Sequence, residues 1–171
     1  MMFFSGFSLR DESRFFDAYL LRGDYSVAGF SYGAILAAEH VLDSAARVDT
    51  LQLFSPAFFQ ETNERYKRLQ IAGFKKDPQA YISHFIQNCF APYGVRRVDQ
   101  VPGTSEELEA LLHYEWKPEM LRKIAARGTR IEVYLGAQDR IIDSAKAREF
   151  FTPLATVTTI QQANHFLQEQ S

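Results

Sequence analysis

Residues 25–42 read Tyr25-Ser26-Val27-Ala28-Gly29-Phe30-Ser31-Tyr32-Gly33-Ala34-Ile35-Leu36-Ala37-Ala38-Glu39-His40-Val41-Leu42. Tyr25 to Ala28 reads as a short strand, and Ala34 to Leu42 as an Ala/Ile/Leu helix whose small side chains suit close packing on a sheet. Between them stands Gly29-Phe30-Ser31-Tyr32-Gly33, a G-x-S-x-G turn in the strand-turn-helix setting that such a turn requires. The turn holds its serine in a strained backbone conformation, so the residues two positions away on either side must be small, and both are glycine. It also sets Ser31 at a helix N-terminus, where the backbone N–H of Tyr32 points toward any anion that forms beside the hydroxyl. The spacing therefore predicts Ser31 as a nucleophile and the N–H of Tyr32 as an oxyanion donor.

Working outward, Met1 to Phe4 is a short apolar run closed by Ser5-Gly6, and Thr50 to Phe54 is a strand closed by Ser55-Pro56. Arg130 to Leu135, closed by Gly136, and the β-branched Thr156 to Ile160 complete the strands. Phe15, Phe16, Tyr19 and Leu20 fall on one stripe and predict a helix over Glu12 to Leu21, stopped by Arg22-Gly23. Strands alternating with helices specify an α/β domain with a mainly parallel sheet. From about residue 61 to residue 127 the pattern changes to helical periodicity without a convincing strand. Pro78 and Pro118 stand where a first helical turn tolerates them. No repeat or linker marks a second domain, so residues 1–171 read as one domain, with residues 61–127 inserted as a helical lid.

A serine hydroxyl needs a histidine base, and the histidine needs a carboxylate to hold its tautomer. Of the four histidines, His40 lies too far along the helix after the turn to reach back, and His84 and His113 fall in the helical insertion. His165 follows the last strand through the short stretch Gln161 to Asn164, which places it at the carboxyl edge of a parallel sheet beside the serine turn. Asp139 follows the strand Arg130 to Leu135 at the same edge. Its rival, Asp143, reads as the N-cap of a helix running to Phe151. The order Ser31, Asp139, His165 is the one found in α/β-hydrolases. A second oxyanion donor is expected from the loop after the first strand, where Gly6 permits a sharp turn and the N–H of Phe7 can face the nucleophile.

The 171 residues are 46% hydrophobic with 15 Phe and 8 Tyr, enough for one substantial core. The net charge of −2 argues against a general nucleic-acid binder, and the single cysteine, Cys89, excludes an intramolecular disulfide framework. The N-terminus lacks a basic region and a cleavage site, and no window approaches a membrane span. The expectation is a soluble cytoplasmic monomer with no nucleic-acid or membrane partner.

Taken with Leu53-Phe54-Ser55-Pro56, Lys76-Asp77-Pro78-Gln79, Ile131-Glu132-Val133, Asp139-Arg140-Ile141 and Asn164-His165, the opening Phe3-Phe4-Ser5-Gly6-Phe7 and the serine turn resemble the BioV family over nearly the whole chain. These are pimeloyl-[acyl-carrier-protein] methyl ester esterases, functional equivalents of BioH and BioG. The resemblance implies a minimal α/β-hydrolase fold that lacks the N-terminal antiparallel hairpin. It also implies hydrolysis of the methyl ester of pimeloyl-acyl carrier protein in biotin biosynthesis, with Ser31, Asp139 and His165 as nucleophile, acid and base. The chemistry calls for no metal or other cofactor. Acyl carrier protein is acidic, and residues 60–100 hold seven basic residues, Arg65, Lys67, Arg68, Lys75, Lys76, Arg96 and Arg97, against four acidic ones. These seven are the expected carrier contacts. Tyr66, Phe74, Tyr81, Phe85 and Phe90 are candidates for lining an acyl channel. The same three residues would equally serve a thioesterase or a small-ester hydrolase, and a non-catalytic binding module on a hydrolase scaffold remains a further alternative.

Overall fold

The computed structural model describes residues 1–170. The chain runs β1 (Met2–Phe4), β2 (Leu9–Arg10), a 3₁₀ turn (Glu12–Phe16), β3 (Ser26–Phe30), α1 (Tyr32–Asp43) and β4 (Thr50–Phe54). It continues through α2 (Glu64–Lys76), α3 (Pro78–Phe90), β5 (Asp99–Gln100), α4 (Ser105–His113) and α5 (Pro118–Ala126). It closes with β6 (Arg130–Gly136), α6 (Ser144–Phe151) and β7 (Thr156–Ile160). Five strands form one sheet in the order β1-β3-β4-β6-β7, and every pairing is parallel. Among the described residues this sheet carries no antiparallel hairpin.

The strands sit where they do because both faces of a parallel sheet must be covered. In register across β3, β4 and β6 lie Phe30, Phe54 and Tyr134. Phe16 stacks on Phe54 at 4.7 Å between ring centroids, and Phe166 stacks on Phe30 at 4.9 Å. By alternation the opposite face carries Leu51, Leu53, Ile131, Val133 and Leu135, all buried. Helix α1 packs against β1, β3 and β4, its Ala34, Ala37 and Ala38 fully buried, so the expected close helix-sheet approach is present.

Four helices are capped by their own side chains. Asn63 accepts from the N–H of Tyr66, and Asp77 from that of Ala80 with Pro78 at the first position of α3. Thr104 and Glu107 form a reciprocal capping box on α4, and Asp143 accepts from Lys146 on α6. Each cap is worth about 1 kcal/mol. Asp143 is thus occupied as an N-cap, the role expected for it.

Two expectations need correction. Residues 12–21 do not form a helix: the 3₁₀ turn ends at Phe16, and Gln52 on β4 captures the backbone beyond it. Its amide oxygen accepts from Leu21 N–H at 2.8 Å and its amide nitrogen donates to Tyr19 C=O at 2.9 Å. Tertiary hydrogen bonds thus claim groups that a continued helix would have used. The helical insertion also contains a strand, because β5 pairs antiparallel with β2, Leu9 opposite Gln100 and Arg10 opposite Asp99. No helix among the described residues is long and apolar enough to cross a membrane.

Candidate active site

Because all five strands of the sheet run the same way, the loops after β1, β3, β4, β6 and β7 emerge at one edge. Ser31 heads α1 with φ 54° and ψ −114°, a left-handed φ that a side chain rarely adopts and that costs about 1–3 kcal/mol. The surroundings enforce it. Ser31 N–H donates to Phe54 C=O at 3.0 Å, and Ser31 C=O accepts from Ala57 N–H at 3.1 Å, pinning the turn to the end of β4. A Cβ on Gly29 would lie 2.1 Å from the carbonyl oxygen of Gly33, and one on Gly33 would lie 2.0 Å from that of Phe4. Both turn glycines are therefore sterically required.

His165 reaches Ser31 with its Nε2 3.1 Å from Oγ, and its Nδ1 lies 2.6 Å from Asp139 Oδ2. The Asp139 and His165 side chains are fully buried. An ionised Asp139 selects the tautomer with the proton on Nδ1, which leaves Nε2 to accept from the serine hydroxyl. The second oxygen of Asp139 accepts from the N–H groups of Ile141 at 2.7 Å and Ile142 at 3.0 Å, so the carboxylate is oriented by its own loop. Three side chains 26 and 134 positions apart in the chain thus form one hydrogen-bonded line.

The loops carrying Asp139 and His165 are fastened to each other. Ala137 N–H donates to Ile160 C=O and Gln138 N–H to Ala163 C=O, and the bare Cα of Gly136 lets the Asn164 carbonyl approach. Two polar residues that sequence reasoning did not single out hold the histidine. Ser55 Oγ donates to the His165 carbonyl at 2.7 Å. Asn164, fully buried, donates to Phe90 C=O at 2.8 Å and accepts from Gln168 N–H at 3.0 Å, tying the histidine loop to the end of α3. In the sequence Ser55-Pro56 reads as the end of a strand and as part of the run Leu53-Phe54-Ser55-Pro56, with no role of its own for Ser55. Asn164 is visible there only as the neighbour of His165.

Phe7 and Ser31 line one cleft, roofed by the insertion. Its apolar wall includes Phe59, Phe85, Leu108 and Leu112, and its polar residues include Tyr66, His84, Asn88 and Arg140. Among the described residues, neither the N–H of Phe7 nor that of Tyr32 donates to a protein acceptor. Of the aromatic residues expected along an acyl channel, Tyr66, Tyr81 and Phe85 line this cleft. Phe74 and Phe90 do not: both are buried, Phe74 against Phe7 and Phe90 against Phe166. Burial pushes the Tyr81 hydroxyl above its ordinary range. Its O–H donates to Gln70 at 2.9 Å.

The seven basic residues divide. Lys67 must be corrected as a surface contact: it is buried, with Nζ 3.3 Å from Glu64, because its position on α2 faces inward with Phe74. Lys75 pairs with Glu109 at 3.4 Å, Arg96 donates to Gln168 at 2.7 Å, and Arg97 lies 3.9 Å from Asp99. Arg65, Arg68 and Lys76 stand exposed on the outward face of α2, around Leu69, which is 59% exposed. The remaining histidines are elsewhere: His40 packs on Phe4, and His113 sits beside Glu109 and Glu64.

No family model and no curated protein matches the sequence. Solved structures do match in shape. An esterase from Exiguobacterium antarcticum superposes with a TM-score of 0.61 at 17% identity, over 82% of this chain and 59% of its own. BioG from Haemophilus influenzae does so with a TM-score of 0.59 at 10% identity, over 97% of this chain and 88% of its own. A structure from a study of carboxylesterases of Nitrososphaera gargenis gives 0.58 at 11% identity, over 96% and 82%. The chain thus spans less than two thirds of the length of the Exiguobacterium esterase. With its parallel five-stranded sheet, its strained serine turn between β3 and α1, and these likenesses, the chain has the α/β-hydrolase fold.

Proposed function

We propose that the protein is a serine carboxylic-ester hydrolase that cleaves the methyl ester of pimeloyl-acyl carrier protein. The observation that carries the chemistry is the line Ser31 Oγ, His165 Nε2, His165 Nδ1, Asp139 Oδ2, with contacts of 3.1 and 2.6 Å, headed by a strained serine in a lined cleft. Ser31 Oγ attacks the ester carbonyl while His165 Nε2 takes its proton. Asp139 stabilises the imidazolium that results. The tetrahedral oxyanion is held by the N–H groups of Phe7 and Tyr32, each worth on the order of 10²–10³ in rate. The carbon-oxygen bond to methoxide breaks, His165 returns the proton, and methanol leaves. Water then attacks the acyl-enzyme by the same route and frees the carboxylate.

The substrate assignment rests on the resemblance to the BioV family and is supported by the likeness to BioG, which extends over most of both chains. The outward face of α2, with Arg65, Arg68 and Lys76 around an exposed Leu69, supports docking of an acidic carrier beside the cleft, since Tyr66 of the same helix lines it. The test is to supply methyl-pimeloyl carrier and measure both products. Methanol with intact carrier thioester is the expected result, and Ser31→Ala abolishes it. Release of free carrier thiol would make the protein a thioesterase instead, and cleavage of small esters but not of the carrier substrate would make it a general carboxylesterase.

A further inference from the structure

The loop after β1 makes two backbone contacts on either side of the peptide bond that would present the Phe7 N–H. Gly6 N–H donates to Glu12 Oε1 at 2.7 Å, which fixes the Ser5–Gly6 peptide plane. Gly6 C=O accepts from Leu9 N–H at 3.1 Å, which fixes the Gly6–Phe7 plane, and in a trans peptide the N–H of Phe7 then points the opposite way. The turn is tight: Ser8 and Asp11 both have left-handed φ, at 58° and 59°. From the insertion, Val101 N–H donates to Ser8 C=O at 3.0 Å beside the β2–β5 pairing.

Glu12 is an unusual residue to find here. It is completely buried, and its Oε2 has no hydrogen-bond partner. Burial pushes its carboxyl above the ordinary range, with the Gly6 N–H holding it down in part. An orphaned buried carboxylate oxygen is destabilising, so packing alone does not explain a glutamate at this position. What the carboxyl does supply is a strong, directional acceptor for one backbone N–H, one residue before the expected oxyanion donor.

We propose that Glu12 is a positioning residue for ester hydrolysis: its grip on Gly6 N–H sets the loop so that Phe7 N–H faces the oxyanion formed on Ser31. This rests on the hydrolase reading above. A side chain acting in this way changes the barrier and not the binding of the ground state, so its removal lowers kcat and leaves KM unchanged.

The experiment compares Glu12→Ala, Glu12→Gln and the unaltered protein on p-nitrophenyl butyrate, with a trifluoromethyl ketone that forms an oxyanion-bearing adduct on serine. Glu12→Gln keeps an acceptor toward Gly6 and is expected to stay within about threefold in kcat. Glu12→Ala is expected to lose about 10- to 100-fold in kcat at unchanged KM, with ketone affinity falling by the same factor. Thermal unfolding reports whether each variant is folded. Should Glu12→Ala not fold, Glu12→Asp, which keeps the carboxyl but not its reach, carries the same expectation. A loss in KM alone, an unchanged ketone affinity, or a folded Glu12→Gln as impaired as Glu12→Ala would overturn the proposal. If the unaltered protein cleaves no ester and binds no ketone, the hydrolase reading has failed, an outcome distinct from an active protein indifferent to Glu12.

Discussion

The loops at the carboxyl edge of the sheet and the helical insertion between β4 and β6 are built by different rules. At the edge, five loops are locked by long-range hydrogen bonds and by backbone atoms in direct contact, such as Gly33 against Phe4 and Gly136 against Asn164. In the insertion, apart from the β2–β5 pairing and the contacts of Val101 to Ser8 and of Phe90 to Asn164, order is mainly local: Asn63, Asp77 and Thr104 cap their own helices, and amphipathic faces bury Phe74, Ile82, Ile86 and Leu108. The first construction fixes atoms to within a hydrogen bond, as proton transfer demands. The second leaves the outer face of α2, around the exposed Leu69, free of such constraints. Substitutions should therefore act on chemistry and fold at the edge, and on stability or recognition in the insertion.

The sharpest contrast is between two glycines. Gly33→Ala forces a Cβ to 2.0 Å from a backbone oxygen and is expected to cost several kcal/mol, about 3 or more, seen as insoluble protein or a collapsed denaturant midpoint. Gly73→Ala in the last turn of α2 places its Cβ no closer than 3.6 Å to the Tyr81 ring and is expected to stabilise by about 0.5–1 kcal/mol. If the two changes shifted the midpoint alike, the contrast would be wrong.

Next in size is Asp139→Asn. The geometry is kept, but the amide no longer selects the Nδ1-protonated histidine. Stopped-flow or steady-state assays should show kcat lowered by about 10³- to 10⁴-fold. A loss under tenfold would remove Asp139 from the mechanism. The corresponding change in the insertion is charge reversal of Arg65, Arg68 and Lys76 together. It is expected to raise KM for the carrier-borne ester about tenfold at low salt, with a smaller effect at high salt, while kcat on a free methyl ester stays unchanged. Equal losses on both substrates would place these residues in the fold and not in recognition.

Much of the edge could be read from the sequence because its signals are local. Gly29 and Gly33 bracket Ser31, apolar runs end in Ser5-Gly6, Ser55-Pro56 and Gly136, and Asp143 announces a helix start that leaves Asp139 for the site. What escaped was non-local. The β2–β5 pairing joins two dipeptides, Leu9-Arg10 and Asp99-Gln100, that lie some ninety residues apart and are too short to show alternation, and Gln52 dismantles a helix whose apolar stripe is plain in the sequence. Glu12 and Ser55 each make one side-chain contact to the backbone and Asn164 makes two, and such contacts leave no period and no motif. Lys67 looks like its basic neighbours until the turn of α2 sets it inward.

The smallest expected effect concerns Glu12 and pH. Its carboxyl is raised by burial above the ordinary value of 4.5, so the unfolded chain gives up this proton more readily than the folded one. The associated stability is present at low pH and is lost as pH rises from about 4.5 through the folded value. Glutamine does not titrate, so the Tm of Glu12→Gln minus that of the unaltered protein should grow more positive across that range. A difference independent of pH would mean that the buried carboxyl is ionised at no cost.

The most direct measurement is reaction with a fluorophosphonate probe followed by mass spectrometry of the labelled peptide. A nucleophile activated as described is labelled on Ser31 alone, the label is lost in Ser31→Ala, and labelling slows by orders of magnitude in His165→Ala. An unlabelled protein, a label on another residue, or labelling that proceeds undiminished without His165 would contradict the account.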